Sequence, residues 1–307
     1  LFQTPFHGEF QMSILITGST GQIGTQVIEN LLERPVEIRA LTRSPNTAKF
    51  PRGVEAVKGD LSNIDSLRTA MQGVSTLFLL VPNVADELTQ AMQALSVAKE
   101  SGVKGIVYLS VFKAAEYVDV PHFASKFTVE RMIERLDLPA SILRPAYFIQ
   151  NDARQKDALL GKGLYGSQLG DKGISMVDIR DIGEAAAIEL LRRERNQVPL
   201  AREIFELVGP NAMTSAAVAA VWEEVLGRPI KSLGNDTNAL EHQIKTFLPS
   251  WHAYDLRLMF DRYQADGAVA TPAELTRFRM LLGHPPRNYR DFAKSLSEKW
   301  AGEQVAA

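Results

Sequence analysis

Ser13-Ile14-Leu15-Ile16-Thr17-Gly18-Ser19-Thr20-Gly21-Gln22-Ile23-Gly24 is a short aliphatic strand running through three glycines into a helix. From Gln22 to Glu33, Ile23, Val27 and Leu31 recur at helical spacing, and Arg34-Pro35 ends the period. Glycines at such a junction allow a tight turn and bring a pyrophosphate close to the first helix amides, whose partial positive charge favours an anion. Spacing alone is a weak signal. With strand, glycines and helix in one βαβ unit, Gly18, Thr20, Gly21, Gln22, Ile23 and Gly24 point to a dinucleotide site, the plainer alternative being a packing turn.

Outward from this unit the alternation continues. Strands are expected at Val36 to Leu41, Val54 to Lys58, Ser75 to Val81, Gly105 to Ser110 and Ala140 to Leu143. Helices are expected around Ile64 to Met71, at Leu88 to Lys99 and from about Pro121 to Leu136. Near-continuous apolar strands between helices indicate a doubly wound parallel α/β sheet, the Rossmann class, with strands buried on both faces. Residues 12–150 form this domain, rejoined by 182–208 through a helix at Ile182 to Leu191 and a strand at Ile204 to Val208. The Gly-punctuated stretch from Gly161 to Gly173 reads as a loop or hairpin over a cleft. Residues 151–181 and 209–307 are expected to form a smaller, mostly helical substrate or partner domain, with an amphipathic helix at Ser215 to Leu226.

Composition narrows the function classes. The chain has 307 residues, 45% of them hydrophobic, which suffices for a sizeable core. Lys plus Arg (34) and Asp plus Glu (36) leave a formal charge of −2, without the basic excess that binding a nucleic-acid backbone requires. The absence of cysteine excludes disulfides, thiolate metal sites and a cysteine nucleophile, and is compatible with a reducing, cytoplasmic setting. No apolar run reaches the length of a membrane-spanning helix. Residues 1–11 precede Met12, lack a signal-peptide pattern and read as an expression scar.

Cofactor preference is read at the end of the second strand, Ala40-Leu41-Thr42-Arg43. An NAD site usually carries a carboxylate there for the adenosine ribose. None lies at Leu41 to Ser44, while Arg43 can pair with a 2′-phosphate by a charge-assisted contact, which favours NADP(H). The alternative is a solvated loop cation. Lys49 is a second candidate for the phosphate. Asp60, followed by Leu61, is either an adenine contact or a turn cap.

The glycine turn, Thr42-Arg43, Gly59-Asp60-Leu61, Arg144-Pro145, Val177-Asp178-Ile179-Arg180-Asp181, Phe205-Glu206-Leu207-Val208-Gly209-Pro210 and Leu226-Gly227-Arg228-Pro229 together resemble the NmrA-like branch of the atypical short-chain dehydrogenase/reductase superfamily. The resemblance runs from Met12 to about Trp300. It implies NADP(H) across the carboxyl ends of the strands and a small-molecule substrate between the two domains. The family mixes NAD(P)H-dependent reductases of quinones, imines, dyes or activated alkenes with non-enzymatic redox sensors that bind a regulatory protein. A reductase moving hydride to a small electrophile is the preferred reading and the sensor the alternative; a sugar-nucleotide epimerase is poorly suited. Direct nucleic-acid and membrane partners are not expected.

The catalytic pattern departs from the wider superfamily, which uses a Ser and a Tyr-x-x-x-Lys pair. Ser110 is present, but His122-Phe123-Ala124-Ser125-Lys126 stands in place of the pair, without the Tyr. Lys126 is the candidate for the ribose hydroxyls, and His122, one turn away on the same face, for the neighbourhood of the reacting carbon. In the first helical turn and near Lys126, the His122 ring is expected to be neutral, polarising an acceptor rather than protonating it. Glu130, on the same face, is expected to pair with Lys126. Strand ends place Val81 and Pro82 with Tyr147 and Phe148 beside the cofactor, and Asn83, Val111, Phe112, Tyr147 and Asn151 beside the substrate. Trp251 and Phe260 are either a roof for a planar substrate or a small-domain core. The spacing of His242, His252 and His284 gives no metal site.

Overall fold

The structure, a computed structural model, describes residues 13–305; the segment 1–11 read as a scar lies outside them. The chain runs β1 (Ser13–Ile16), α1 (Gln22–Leu31), β2 (Glu37–Thr42), β3 (Val54–Lys58), α2 (Ile64–Ala70), β4 (Thr76–Leu79), α3 (Glu87–Glu100), β5 (Gly105–Leu109), α4 (Pro121–Arg135) and β6 (Ala140–Pro145). It continues through β7 (Leu164–Tyr165), α5 (Ile179–Arg195), β8 (Glu203–Leu207), α6 (Ser215–Leu226), β9 (Lys231–Ser232), α7 (Thr237–Ile244), α8 (Ser250–Ala265), α9 (Pro272–Leu282) and α10 (Tyr289–Val305).

Seven strands form one sheet in the order β3-β2-β1-β4-β5-β6-β8, every pair parallel. The order reverses between β1 and β4, and that reversal opens a crevice at the carboxyl ends of the two strands. Every residue of β1, β4 and β5 is buried, as their unbroken apolar runs require. Alternation then divides the strand between two cores. Ile14 and Ile16 join Val27, Ile28 and Leu31 of α1 and Ala185, Ala186 and Leu190 of α5. Leu15, Leu77 and Leu79 join Leu67 of α2 and Ala94 and Leu95 of α3.

On the first face α1 and α5 cross at close range. A Cβ on Gly183 would lie 2.4 Å from the Gln26 Cβ, so this crossing needs a glycine. The same core continues without interruption into Trp222, Met259, Phe278 and Trp300 of the later helices. In the stretch from Gly161 to Gly173, expected as a loop or hairpin, β7 instead pairs in parallel with the distant β9. Its carboxyl-terminal part is pinned by Ile174, whose backbone bridges Met213 and Ala268. The α5 helix is longer than its apolar period because Asp178 caps Arg180 N–H and adds a turn before Ile182.

Candidate functional site

The glycine turn is built as a cradle. Gly18 has φ +61°, and a Cβ there would meet the Leu80 side chain at 2.6 Å. Gly24 packs so closely that a Cβ would stand 2.3 Å from Gly18 O and 2.7 Å from Ser19 Cα. Thr17 Oγ1 accepts the Leu80 N–H and donates to Leu80 O, both at 2.8 Å, tying the turn to the end of β4. Ser19 Oγ donates to Leu41 O at 2.7 Å, tying it to β2. The α1 helix opens at Gly21 with no side-chain cap and no acidic residue in its first turn. The amides of Gln22, Ile23 and Gly24 are therefore left to an anion, and the residues present fit a pyrophosphate.

Around the cradle, Arg43 follows β2 on the surface, with no carboxylate within ion-pair distance among the described residues. Lys49 lines a cavity of about 290 Å³ together with Ser19, Thr20, Glu29 and Phe50. Asp60 caps its turn, accepting the Ser62 N–H at 2.9 Å and the Ser62 hydroxyl at 2.7 Å. These two bonds, backbone first, with nearby Arg43 hold its carboxyl below the usual range despite partial burial. Leu61 and Val81 are buried, Pro82 exposed and Asn83 half-buried.

The α4 residues find partners that the sequence does not announce. Lys126 Nζ donates to Glu87 Oε1 of α3 at 2.6 Å, not to Glu130. Glu130 has no exposed surface and takes the fork of Arg144 on β6, with Nε at 2.9 Å and Nη2 at 2.5 Å. A planar guanidinium binds both oxygens of a buried carboxylate, whereas an ammonium offers only a point charge. Ser110, read as a catalytic hydroxyl, is buried and donates to the same Glu130 at 2.5 Å, which removes it from the reacting position.

His122 lies against Asp255 of α8. Its backbone N–H donates to Asp255 Oδ1 at 3.0 Å, and its Nδ1 is 2.6 Å from Oδ2, with the oxygen off the N–H axis. Asn83 Nδ2, just beyond β4, donates to the same Oδ2 at 3.1 Å and stands 3.5 Å from His252 Nε2. Lys126 is thus matched by Glu87 and a carboxylate faces the His122 ring, while the ring keeps its expected place in the first turn of α4. Burial works to raise the Asp255 pKa, but the His122 side chain and N–H and the Asn83 amide bring it below the ordinary value. Burial lowers that of His252, and His122 adds to this against Asp255.

The apolar wall comes from Tyr147, edge-on to Phe260 at 6.0 Å and to Tyr263 at 6.2 Å. Phe260 is buried, so it belongs to the core reading, while Trp251 is 40% exposed and stacks on His252 at 4.9 Å. Phe112 is likewise buried, under Lys113, and Val111 is half-buried. Phe148 pairs with the Val177 backbone, and Asn151, half-buried, contacts the Tyr147 hydroxyl. Burial above all, then Asp152, raises the Tyr147 pKa well above the ordinary phenol value, so it stays protonated.

Of the residues that sequence reasoning missed, Glu87 is visible only as an acid opening a helix, and Asp255 carries no local signal. Asp181, Glu184 and His284 bring ligand-type atoms within 4.8 Å of one another, which His spacing does not reveal. Arg287 already pairs with both carboxylates there. Among the described residues, no helix is long and apolar enough to cross a membrane.

The sequence pattern of the NmrA-like family matches residues 11–277. An NAD(P)H azoreductase of Xenophilus azovorans is 27% identical over 290 residues, covering 92% of this chain and 97% of the relative. An NADPH-dependent quinone oxidoreductase of Escherichia coli, solved with NADPH, is 25% identical with a TM-score of 0.81, over 92% of this chain and 99% of that one. A triphenylmethane reductase of Citrobacter sp., solved with NADP(H), shares the fold at 22% identity and a TM-score of 0.79, over 92% and 99%.

Proposed function

This chain belongs to the NmrA-like family, and on that footing we propose that it is an NADP(H)-dependent reductase moving hydride to a small electrophile of the quinone, iminium or activated-alkene class. The observation that carries the cofactor assignment is the pairing of an uncapped α1 start with Arg43 at the end of β2. The amides of Gln22, Ile23 and Gly24 hold the pyrophosphate, and Arg43 the 2′-phosphate, with Lys49 behind it. The named activities of the azoreductase and the quinone oxidoreductase support a reductase, as does the NADPH found with the latter.

When bound, the dihydronicotinamide supplies the hydride. Lys126, held by Glu87, would hold the ribose hydroxyls of the bound cofactor. Tyr147 provides an apolar wall that excludes water, and Asn83 and His122 border the acceptor. Much of the acceleration then comes from holding donor and acceptor in register.

The test is NADPH oxidation, read beside NADH, across quinones, iminium ions, activated alkenes and aldehydes. Turnover on at least one electrophile class with NADPH preferred supports the reading. If no class turns over while one redox form of the dinucleotide binds far more tightly than the other, the chain is a sensor with a regulatory protein partner.

A further inference from the structure

We propose that His122 is the proton donor to the reduced acceptor and that Asp255, braced by Asn83, is the positioning residue that aims its Nε2 into the crevice. The proposal rests on the reductase reading above and adds to it a second proton-handling element, supplied by α8 rather than by the sheet.

The geometry divides the two ends of the imidazole. Asp255 is 1% exposed; it receives two donors from separate elements, the His122 backbone N–H and the Asn83 amide, and its Oδ2 stands 2.6 Å from the His122 ring at Nδ1. A buried carboxylate with such neighbours stays ionised and selects the tautomer with the proton on Nδ1. Nε2 has no partner among the described residues. It lies on α4, one turn before Lys126, with Asn83 at the carboxyl end of β4, beside the strand-order reversal.

Surrounding charges leave this pair electrically distinct. Lys126 is matched by Glu87, and Asp119, just before α4, by Arg262 at 2.8 Å. On α8 the other titratable neighbour is His252, whose Nε2 stands 3.5 Å from the Asn83 amide nitrogen. Of the two rings, only His122 touches the carboxylate within ion-pair distance.

The step balances as follows. Hydride from the dihydronicotinamide forms a new C–H bond on the acceptor, whose π electrons move onto its heteroatom. His122, as imidazolium, releases the Nε2 proton to that heteroatom and becomes the neutral Nδ1–H ring, which water reprotonates. The acceptor gains two electrons, the dihydronicotinamide loses them, and Asp255 gains and loses nothing.

The test compares two acceptors. A cationic triarylmethyl dye needs hydride alone, whereas a neutral enone needs hydride and a proton. In His122→Gln, kcat with the enone is expected to fall by about 100-fold while the dye changes by less than about 3-fold. Asp255→Asn, which still accepts the His122 N–H, is expected to show the same selectivity more weakly and to alter the pH profile with the enone. Nitrogen-15 NMR of the cofactor-free protein, at a pH where the ring carries a single proton, gives an independent reading: the His122 ring should report Nδ1–H in the wild type and a tautomer mixture in Asp255→Asn. Equal loss on both acceptors, loss on neither, or an unchanged tautomer in Asp255→Asn overturns the assignment while leaving the reductase reading intact. A wild type that reduces neither these nor any other electrophile removes both.

Discussion

Lys126 Nζ and Glu87 Oε1 meet at 2.6 Å across 39 residues, joining the amino-terminal turn of α3 to the middle of α4. The Lys126 side chain is 13% exposed and that of Glu87 5%, and Glu87 Oε2 is buried without a partner. A candidate ribose ligand is therefore also half of a buried ion pair, so the two roles must be separated experimentally.

Removing Lys126 alone strands a buried carboxylate, which typically costs about 3 kcal/mol or more. Lys126→Met should lose stability of that order in denaturant unfolding, and Lys126→Met with Glu87→Gln should recover most of it. NADPH turnover should stay low in both variants. Recovery of activity together with stability would show that the lysine serves the fold and not the ribose.

At the cradle, a Cβ on Gly24 would meet backbone, Gly18 O and Ser19 Cα, and not a flexible side chain. Gly24→Ala must therefore push the turn away from α1, with a cost of roughly 1 to 3 kcal/mol by analogy with overpacked cores. Calorimetric NADPH affinity is expected to fall more than tenfold, because the displaced amides are the proposed anion site. Gly161→Ala, where a Cβ meets nothing within 4 Å, is the matched control and should leave affinity unchanged.

On the proposed reading, Arg43 carries the phosphate discrimination. A hydrogen bond to a charged group contributes about 1.5 to 3 kcal/mol, so Arg43→Ala should weaken NADPH by roughly 10- to 100-fold. NADH, lacking the 2′-phosphate, should bind as before. An unchanged NADPH/NADH ratio in fluorescence titration would return Arg43 to the role of solvated loop cation.

What the sequence discloses follows from how local each signal is. The strands are legible because β1, β4 and β5 are buried on both faces and so carry unbroken apolar runs. The glycine turn is legible because the close approach of Gly24 to Gly18 and Ser19 lies within one short segment, although its ties to Leu41 and Leu80 do not. The partners of Lys126 and His122 lie 39 and 133 residues away, and no spacing rule connects them. Helical spacing instead suggests Lys126 with Glu130, a local pair that loses to the bidentate Arg144 brought by β6. Likewise β7 reads as loop because two residues paired to distant β9 carry no alternation.

Arg144 has a second carboxylate, and it sets a pH dependence. Glu206 of β8 accepts Arg144 Nη1 at 2.9 Å through Oε1, while its Oε2 is buried without a partner. Burial raises its pKa from 4.5 to about 7, against the opposing pull of Arg144. The folded chain thus holds a proton on Glu206 over a range in which the unfolded chain has lost it. The resulting contribution to stability is fully present below about pH 4.5 and is lost as pH rises toward 7. Glu206→Gln keeps a neutral, hydrogen-bonding side chain at every pH. The wild type should therefore lose stability relative to this variant across the window, by on the order of 2 kcal/mol given partial solvent access. Urea unfolding of both proteins at several pH values checks the sign. Parallel profiles, or a wild type that gains on the variant as pH rises, would mean that Arg144 keeps Glu206 ionised and that Glu130 and Glu206 share its charge throughout.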